Sequence, residues 1–107
     1  DVDVLVFDLF LGVSENPDIH ELEVTLQAMS LGTPIIALRN KGYEELIEEN
    51  RDGTLVRVND GEIMGQKIIK LYQDDSLRKY LAENAKKKVL REHTRERQVE
   101  ILKRTLD

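Results

Sequence analysis

The 107-residue chain carries 16 basic and 21 acidic side chains, for a formal net charge of −5, and has 40% hydrophobic residues and no cysteine. That length suits one domain burying roughly 60 to 70% of the surface its unfolded chain exposes. Without cysteine there is no disulfide framework or thiolate metal site, two isolated histidines make a poor zinc site, and no apolar run approaches the roughly 20 residues of a membrane span. No metal and no transmembrane segment are therefore expected; the acidic start lacks the basic flank of a signal peptide, and a cytoplasmic, reducing setting fits.

Val2 to Phe7 is a β-branched and aromatic run, as in a strand buried on both faces of a parallel sheet. From Leu9 to Asp18 the pattern turns loop-like, with Gly12, Ser14, Asn16 and Pro17 as breakers. Asp18 then caps a helix, with Glu21 three residues on, and Ile19, Leu22, Leu26 and Met29 form one apolar stripe. Gly32 supplies a left-handed stop and Pro34 forbids continuation. Ile35 to Leu38 reads as the second strand, Tyr43 to Glu49 as a short acidic helix, Asp52-Gly53 as a turn and Thr54 to Val58 as the third strand. A helix over Gly61 to Gln73 follows, with Ile63, Met64, Ile68, Leu71 and Tyr72 as its apolar members; Asp75 is expected to cap the next, to about His93, and Thr94 the last, to Leu106.

Strands separated by helices imply right-handed crossovers and a parallel sheet, a three-layer Rossmann-like α/β fold. A complete doubly wound sheet has about six strands, so three read as half of one. The first strand then lies at an open edge, and exposed edges favour pairing with a second copy, so a homodimer is expected.

Charge is unevenly spread: 6 basic and 16 acidic side chains up to residue 75, then 10 basic and 5 acidic. The basic part alternates signs at helical spacing, as in Glu83 with Lys87 and Glu100 with Arg104, and lacks interleaved aromatics. It reads as solvated helix rather than a nucleic-acid surface.

The block Gln27-Ala28-Met29-Ser30-Leu31-Gly32-Thr33-Pro34-Ile35-Ile36-Ala37, then Lys41-Gly42-Tyr43-Glu44-Glu45-Leu46-Ile47, then Gly53-Thr54-Leu55-Val56, closely resembles the donor domain of retaining GT-B glycosyltransferases of family 4, the glycosyl transferases group 1. That family carries Glu-Ala-Met-Ala-x-Gly-x-Pro-Val-Ile-Ala, Gly-Gly-x-x-Glu-Ile-Val and Gly-x-Leu-Val. The register holds without a gap, and the resemblance covers residues 24 to 104.

The resemblance implies a C-terminal, donor-binding domain spanning residues 1–107, the second half of a GT-B donor sheet, whose partner is a nucleotide-diphosphate sugar and which needs no bound cofactor. In the family two glutamates with seven residues between them approach the donor sugar and the ribose. The aligned positions here are Ile19 and Gln27. Gln27 keeps hydrogen-bonding capacity through its amide, whereas Ile19 has none. Glu15 and Glu23 show the same separation one helical turn earlier and form a displaced candidate pair. His20-Glu21-Leu22 stands where the family has a glycine-rich, phosphate-approaching segment, and Glu21 repels phosphate. Gly42, at the carboxyl end of the second strand, and Glu45 complete the donor-binding candidates; no catalytic residue is assigned.

Two other classes fit the residues: a non-catalytic α/β assembly module or fragment, and a receiver-like signalling domain with Asp8 as phosphoacceptor at the end of the first strand. For the latter, Arg39 and Arg57 stand where a hydroxyl and a lysine are needed. His20 and His93 are lone imidazoles without a nucleophile or carboxylate network in the sequence.

Overall fold

The computed structural model describes residues 8–92 and Lys103. The expected strand from Val2 to Phe7 and the expected helix from Thr94 to Leu106 lie outside the described residues, Lys103 excepted. Within them the chain runs β1 (Phe10–Gly12), α1 (Ile19–Ser30), β2 (Ile35–Leu38), α2 (Lys41–Leu46), β3 (Thr54–Val56), α3 (Gly61–Gln73) and α4 (Asp75–Glu92). The strands form a parallel sheet in the order β1-β2-β3, with Phe10 opposite Ile35 and Ile36 opposite Thr54. This is the expected Rossmann-like α/β fold, with helices on both faces.

β1 lies where the sequence reads as a loop. The breakers there mislead, because Gly12 is the last residue of the strand and its missing side chain makes room for Tyr43: a Cβ at Gly12 would stand 2.8 Å from the Tyr43 ring. The Phe10 N–H donates to the Pro34 carbonyl at 2.9 Å, which sets the register at the strand's start.

α1 begins as expected, with the Glu21 N–H donating to Asp18 Oδ1 at 2.8 Å. It ends ahead of Gly32, whose φ of +75° is the left-handed stop that glycine adopts without a Cβ clash. The buried stripe is Leu22, Thr25, Leu26 and Met29 rather than one starting at Ile19, which is 44% exposed. Thr25 sits in the core because its hydroxyl donates to the Glu21 carbonyl one turn back, at 2.9 Å, which satisfies the polar group.

α2 starts two residues before Tyr43 and ends at Leu46, because Asn40 caps it: the Tyr43 N–H donates to Asn40 Oδ1 at 3.1 Å. The positive φ in the following turn falls on Asn50 rather than Gly53, whose glycine is needed because a Cβ would meet Ile47 Cγ2 at 2.7 Å. β3 ends at Val56, two residues short of the expected bound, and α3 spans Gly61–Gln73 as expected. Of its five expected apolar members, Leu71 is buried, Met64 and Ile68 are half-buried, and Ile63 and Tyr72 are exposed. Asp74, not Asp75, caps α4, accepting the Leu77 N–H at 2.9 Å; Asp75 is the first helical residue.

Side-chain alternation along the strands divides the core. Ile35, Ala37 and Leu55 pack with Leu22, Leu26, Met29, Tyr43 and Leu46 on the α1–α2 face, whereas Ile36 and Val56 pack with Leu71 on the α3 face. α4 gives Leu81 to the second cluster and Ala85 and Val89 to the first, so one helix closes both.

Candidate functional site

A crevice of about 450 Å³ opens where β1 and β2 end, between the loop running from Val13 to Asp18 and the Arg39–Asn40 turn into α2. Ligands of open α/β sheets settle at this end of the strands, where connecting loops diverge. Glu15, Asn16, Pro17 and Asp18 form one wall, and Asn40, Lys41 and Gly42 the other.

Two contacts lock the walls together. Asn40 Nδ2 donates to the Ser14 carbonyl at 3.0 Å while its Oδ1 caps α2, so one side chain fixes both loops. Gly42 is buried against Pro17, and a Cβ there would lie 2.5 Å from Pro17 Cγ. Glycine at this position thus serves close packing of the two loops inside a helix, a different reason from the tight turn expected of it.

The candidates divide between the crevice and the helices. Glu15 and Gly42 line it. Glu23 and Gln27 are exposed, one turn apart on the same flank of α1, with Gln27 about 12 Å of helix beyond Ile19. Glu45, partly buried on α2, does not line the crevice either. Glu15 and Glu23 are therefore not a facing pair across the opening. Lys41 is the crevice residue that the sequence reading passed over. The family pattern has glycine there, so the signal available was the substitution itself, which brings a cation to the wall opposite Glu15 and Asp18.

Asp8 precedes β1 and lines a depression with Thr33, Pro34, Asp75 and Arg78 at the entry end of the strands, away from the crevice. A receiver needs its phosphoacceptor where a strand ends, so the signalling reading is set aside. Among the described residues no group of three or more His, Asp or Glu could hold a metal ion, and no helix is long and apolar enough to cross a membrane.

Tyr43 braces the base of the β1–α1 loop and is 2% exposed. Burial holds its phenol above the ordinary 10.0, a hydrogen bond to the Ser14 backbone offsets part of this, and the carboxylates of Glu21 and Asp18 add to the rise. With the folded value raised, the stabilisation is complete below pH 10 and is lost as pH climbs through the folded value. Absorbance titration of the wild type minus Tyr43→Phe should give a midpoint above 10; a midpoint at or below that value would contradict the burial argument.

The family model for glycosyl transferases group 1 matches residues 24–88. An uncharacterized glycosyltransferase of Methanocaldococcus jannaschii is 39% identical over 61 residues, which is 57% of this chain and 16% of that relative. The lipopolysaccharide core biosynthesis glycosyltransferase LpsE of Rhizobium meliloti is 29% identical over 73 residues, 68% of this chain and 22% of that relative. The chain thus spans less than a quarter of the length of these relatives. The crystal structure of the C-terminal domain of a glycosyl transferase group 1 family protein (LpcC) from Francisella tularensis superposes with a TM-score of 0.73 at 23% identity, covering 82% of this chain and 44% of that one. That likeness concerns the fold alone. With the family model spanning most of the chain, and the block from Gln27 to Val56 in register with the group's own pattern, the chain belongs to the glycosyl transferases group 1, the GT-B glycosyltransferases.

Proposed function

We propose that residues 1–107 act as the donor-side domain of a glycosyltransferase that moves a sugar from a nucleotide-diphosphate sugar, and that this polypeptide alone transfers no sugar. The observation that carries the reading is the crevice at the carboxyl ends of β1 and β2, one wall of which, Asn40, Lys41 and Gly42, falls in the stretch that the family model matches. Lys41 supplies the cation nearest a diphosphate there, and Glu15 and Gly42 border the sugar end. Glu23, Gln27 and Glu45 join the donor set by their positions in the family motif, with Gln27 in the ribose register. Affinity is weak on this reading: Glu15 and Asp18 oppose a diphosphate, and Ile19 offers no polar contact to the sugar.

The test is calorimetric titration with uridine and guanosine diphosphate, followed by amide chemical-shift mapping. Shifts are expected at residues 15–18 and 40–42. Gln27→Glu should tighten binding by roughly 1 kcal/mol, about fivefold, the net scale of one hydrogen bond. Absence of binding by the wild type and by Gln27→Glu alike would refute the donor reading and favour a non-catalytic assembly module. Turnover of a nucleotide sugar by the isolated chain would refute the expected inactivity.

A further inference from the structure

We propose that Asn40 is the positioning residue of the donor crevice: through the Ser14 carbonyl it holds Glu15 and Asn16, part of the opposite wall, in the place where a nucleoside diphosphate meets them. The identity of that ligand rests on the donor reading above. The role of Asn40 rests on the geometry of the unliganded chain.

The loop from Val13 to Asp18 joins β1 to α1, and the start of α2 grips it at two points. Ser14 is half-buried: its carbonyl accepts Asn40 Nδ2 at 3.0 Å, and its backbone also hydrogen-bonds the Tyr43 phenol. Pro17 is buried against Gly42. Glu15 and Asn16, between the two grips, are exposed and line the crevice. Their position therefore follows that of Ser14 and Pro17. Packing against Gly42 limits how Pro17 approaches but gives it no direction, whereas hydrogen bonds at Ser14 are directional.

Asparagine is the residue type this place requires. As the helix cap it accepts the Tyr43 N–H at 3.1 Å, and it also donates to a carbonyl 26 residues back. Aspartate caps as well but has no hydrogen to offer Ser14. Serine caps too, but its hydroxyl stands one bond nearer the backbone than an amide nitrogen and falls short of the carbonyl. The same two partners fix the amide's orientation, because turning it over would set donor against donor at Tyr43 and acceptor against acceptor at Ser14. The cap serves α2 alone, so the donation is the part that reaches the crevice wall. A wall ordered in advance spares the ligand the entropy of ordering it, and that is how a residue acting through Ser14 raises affinity.

The test compares Asn40→Ser, which keeps the cap, with Asn40→Ala, which loses it, in the full chain. Backbone amide relaxation is measured without ligand, affinity by calorimetric titration with uridine diphosphate, and stability by urea unfolding. The titration is made in the Glu15→Gln background, where release of the wall does not also relieve a carboxylate's repulsion of the diphosphate. Both variants are expected to lose order at residues 14–16, with order parameters falling from about 0.85 to below about 0.6. Both should bind about fivefold more weakly, the scale of one hydrogen bond. Only Asn40→Ala should also lose the cap's contribution and unfold at a lower urea concentration than Asn40→Ser. Retained loop order in Asn40→Ser would overturn the proposal, since any weaker binding would then come from direct contact with the ligand. Retained affinity with a disordered loop would overturn it too. Affinity losses that follow stability, larger for alanine than for serine, would reduce Asn40 to a helix cap. If neither the wild type nor Glu15→Gln binds uridine or guanosine diphosphate, the donor reading fails, and loop order in the unliganded variants still decides whether Asn40 positions the wall.

Discussion

Replacing Lys88 with methionine should lower the unfolding free energy by about 3 kcal/mol, the lower part of the range for a buried charge stripped of its partner. Asp52 is 2% exposed and the Lys88 side chain 17%, so water cannot replace the lost ammonium. What remains is a carboxylate holding only the Glu48 N–H, set beneath a helix that supplies Ala85 and Val89 to the core. The damage therefore spreads along α4. The double variant Asp52→Asn/Lys88→Met should recover most of the loss, because an asparagine carbonyl still accepts the Glu48 N–H while no charge stays buried. Urea unfolding of the wild type and the two variants measures this. A single-variant cost under about 1 kcal/mol would mean the pair behaves as a surface ion pair.

The sequence reading reached furthest where the chemistry is local. The cap at Asp18, the left-handed stop at Gly32, the break at Pro34 and the span of α3 depend on residues within a few positions of each other, and the structure holds all of them. It failed where a distant side chain decides. β1 reads as a loop because Gly12 and the residues after it are breakers, yet Gly12 is a strand residue because Tyr43, 31 positions on, fills the space of its side chain. Asn40 caps α2 and ties down Ser14 across 26 residues, a double role invisible in either segment alone.

The site follows the same division. A strand end followed by a glycine points to a crevice, and a crevice lies there. Which candidates border it depends on how far a residue lies along α1: the motif treats Glu15, Glu23 and Gln27 alike, whereas the helix carries the last two away from the opening. The polar cleft beside Asp52 escaped the sequence reading for a related reason. Lys87, Lys88 and Arg91 look like solvated helix until the turn from Glu48 to Asp52 is brought against that face.

Arg78→Met should cost about 2 kcal/mol, and its pH dependence separates two contributions. Arg78 joins α3 to α4: its Nη1 donates to the Leu71 and Tyr72 carbonyls, the latter at 2.9 Å, and its Nη2 to Asp75 Oδ1 at 2.9 Å. The last carbonyls of a helix have no partners within it, and the guanidinium satisfies two of them at a junction that leaves the side chain only 11% exposed. Methionine preserves much of the buried stem but returns neither hydrogen bond, so the loss is that of charge-assisted bonds to partly buried acceptors. Asp75 is exposed, and its carboxyl is held below the ordinary 3.8 chiefly by a hydrogen bond from Lys79, with the charges of Lys79 and Arg78 adding to the effect. A lowered folded value means that this share is present above pH 3.8 and disappears as the pH falls through the folded value. Carbonyl oxygens do not titrate. The difference between wild type and Arg78→Met should therefore persist at pH 3, reduced only by the Asp75 share, when both are unfolded in urea at neutral and acid pH. A difference that vanishes in acid would place the whole effect on the carboxylate and refute a capping role for Arg78.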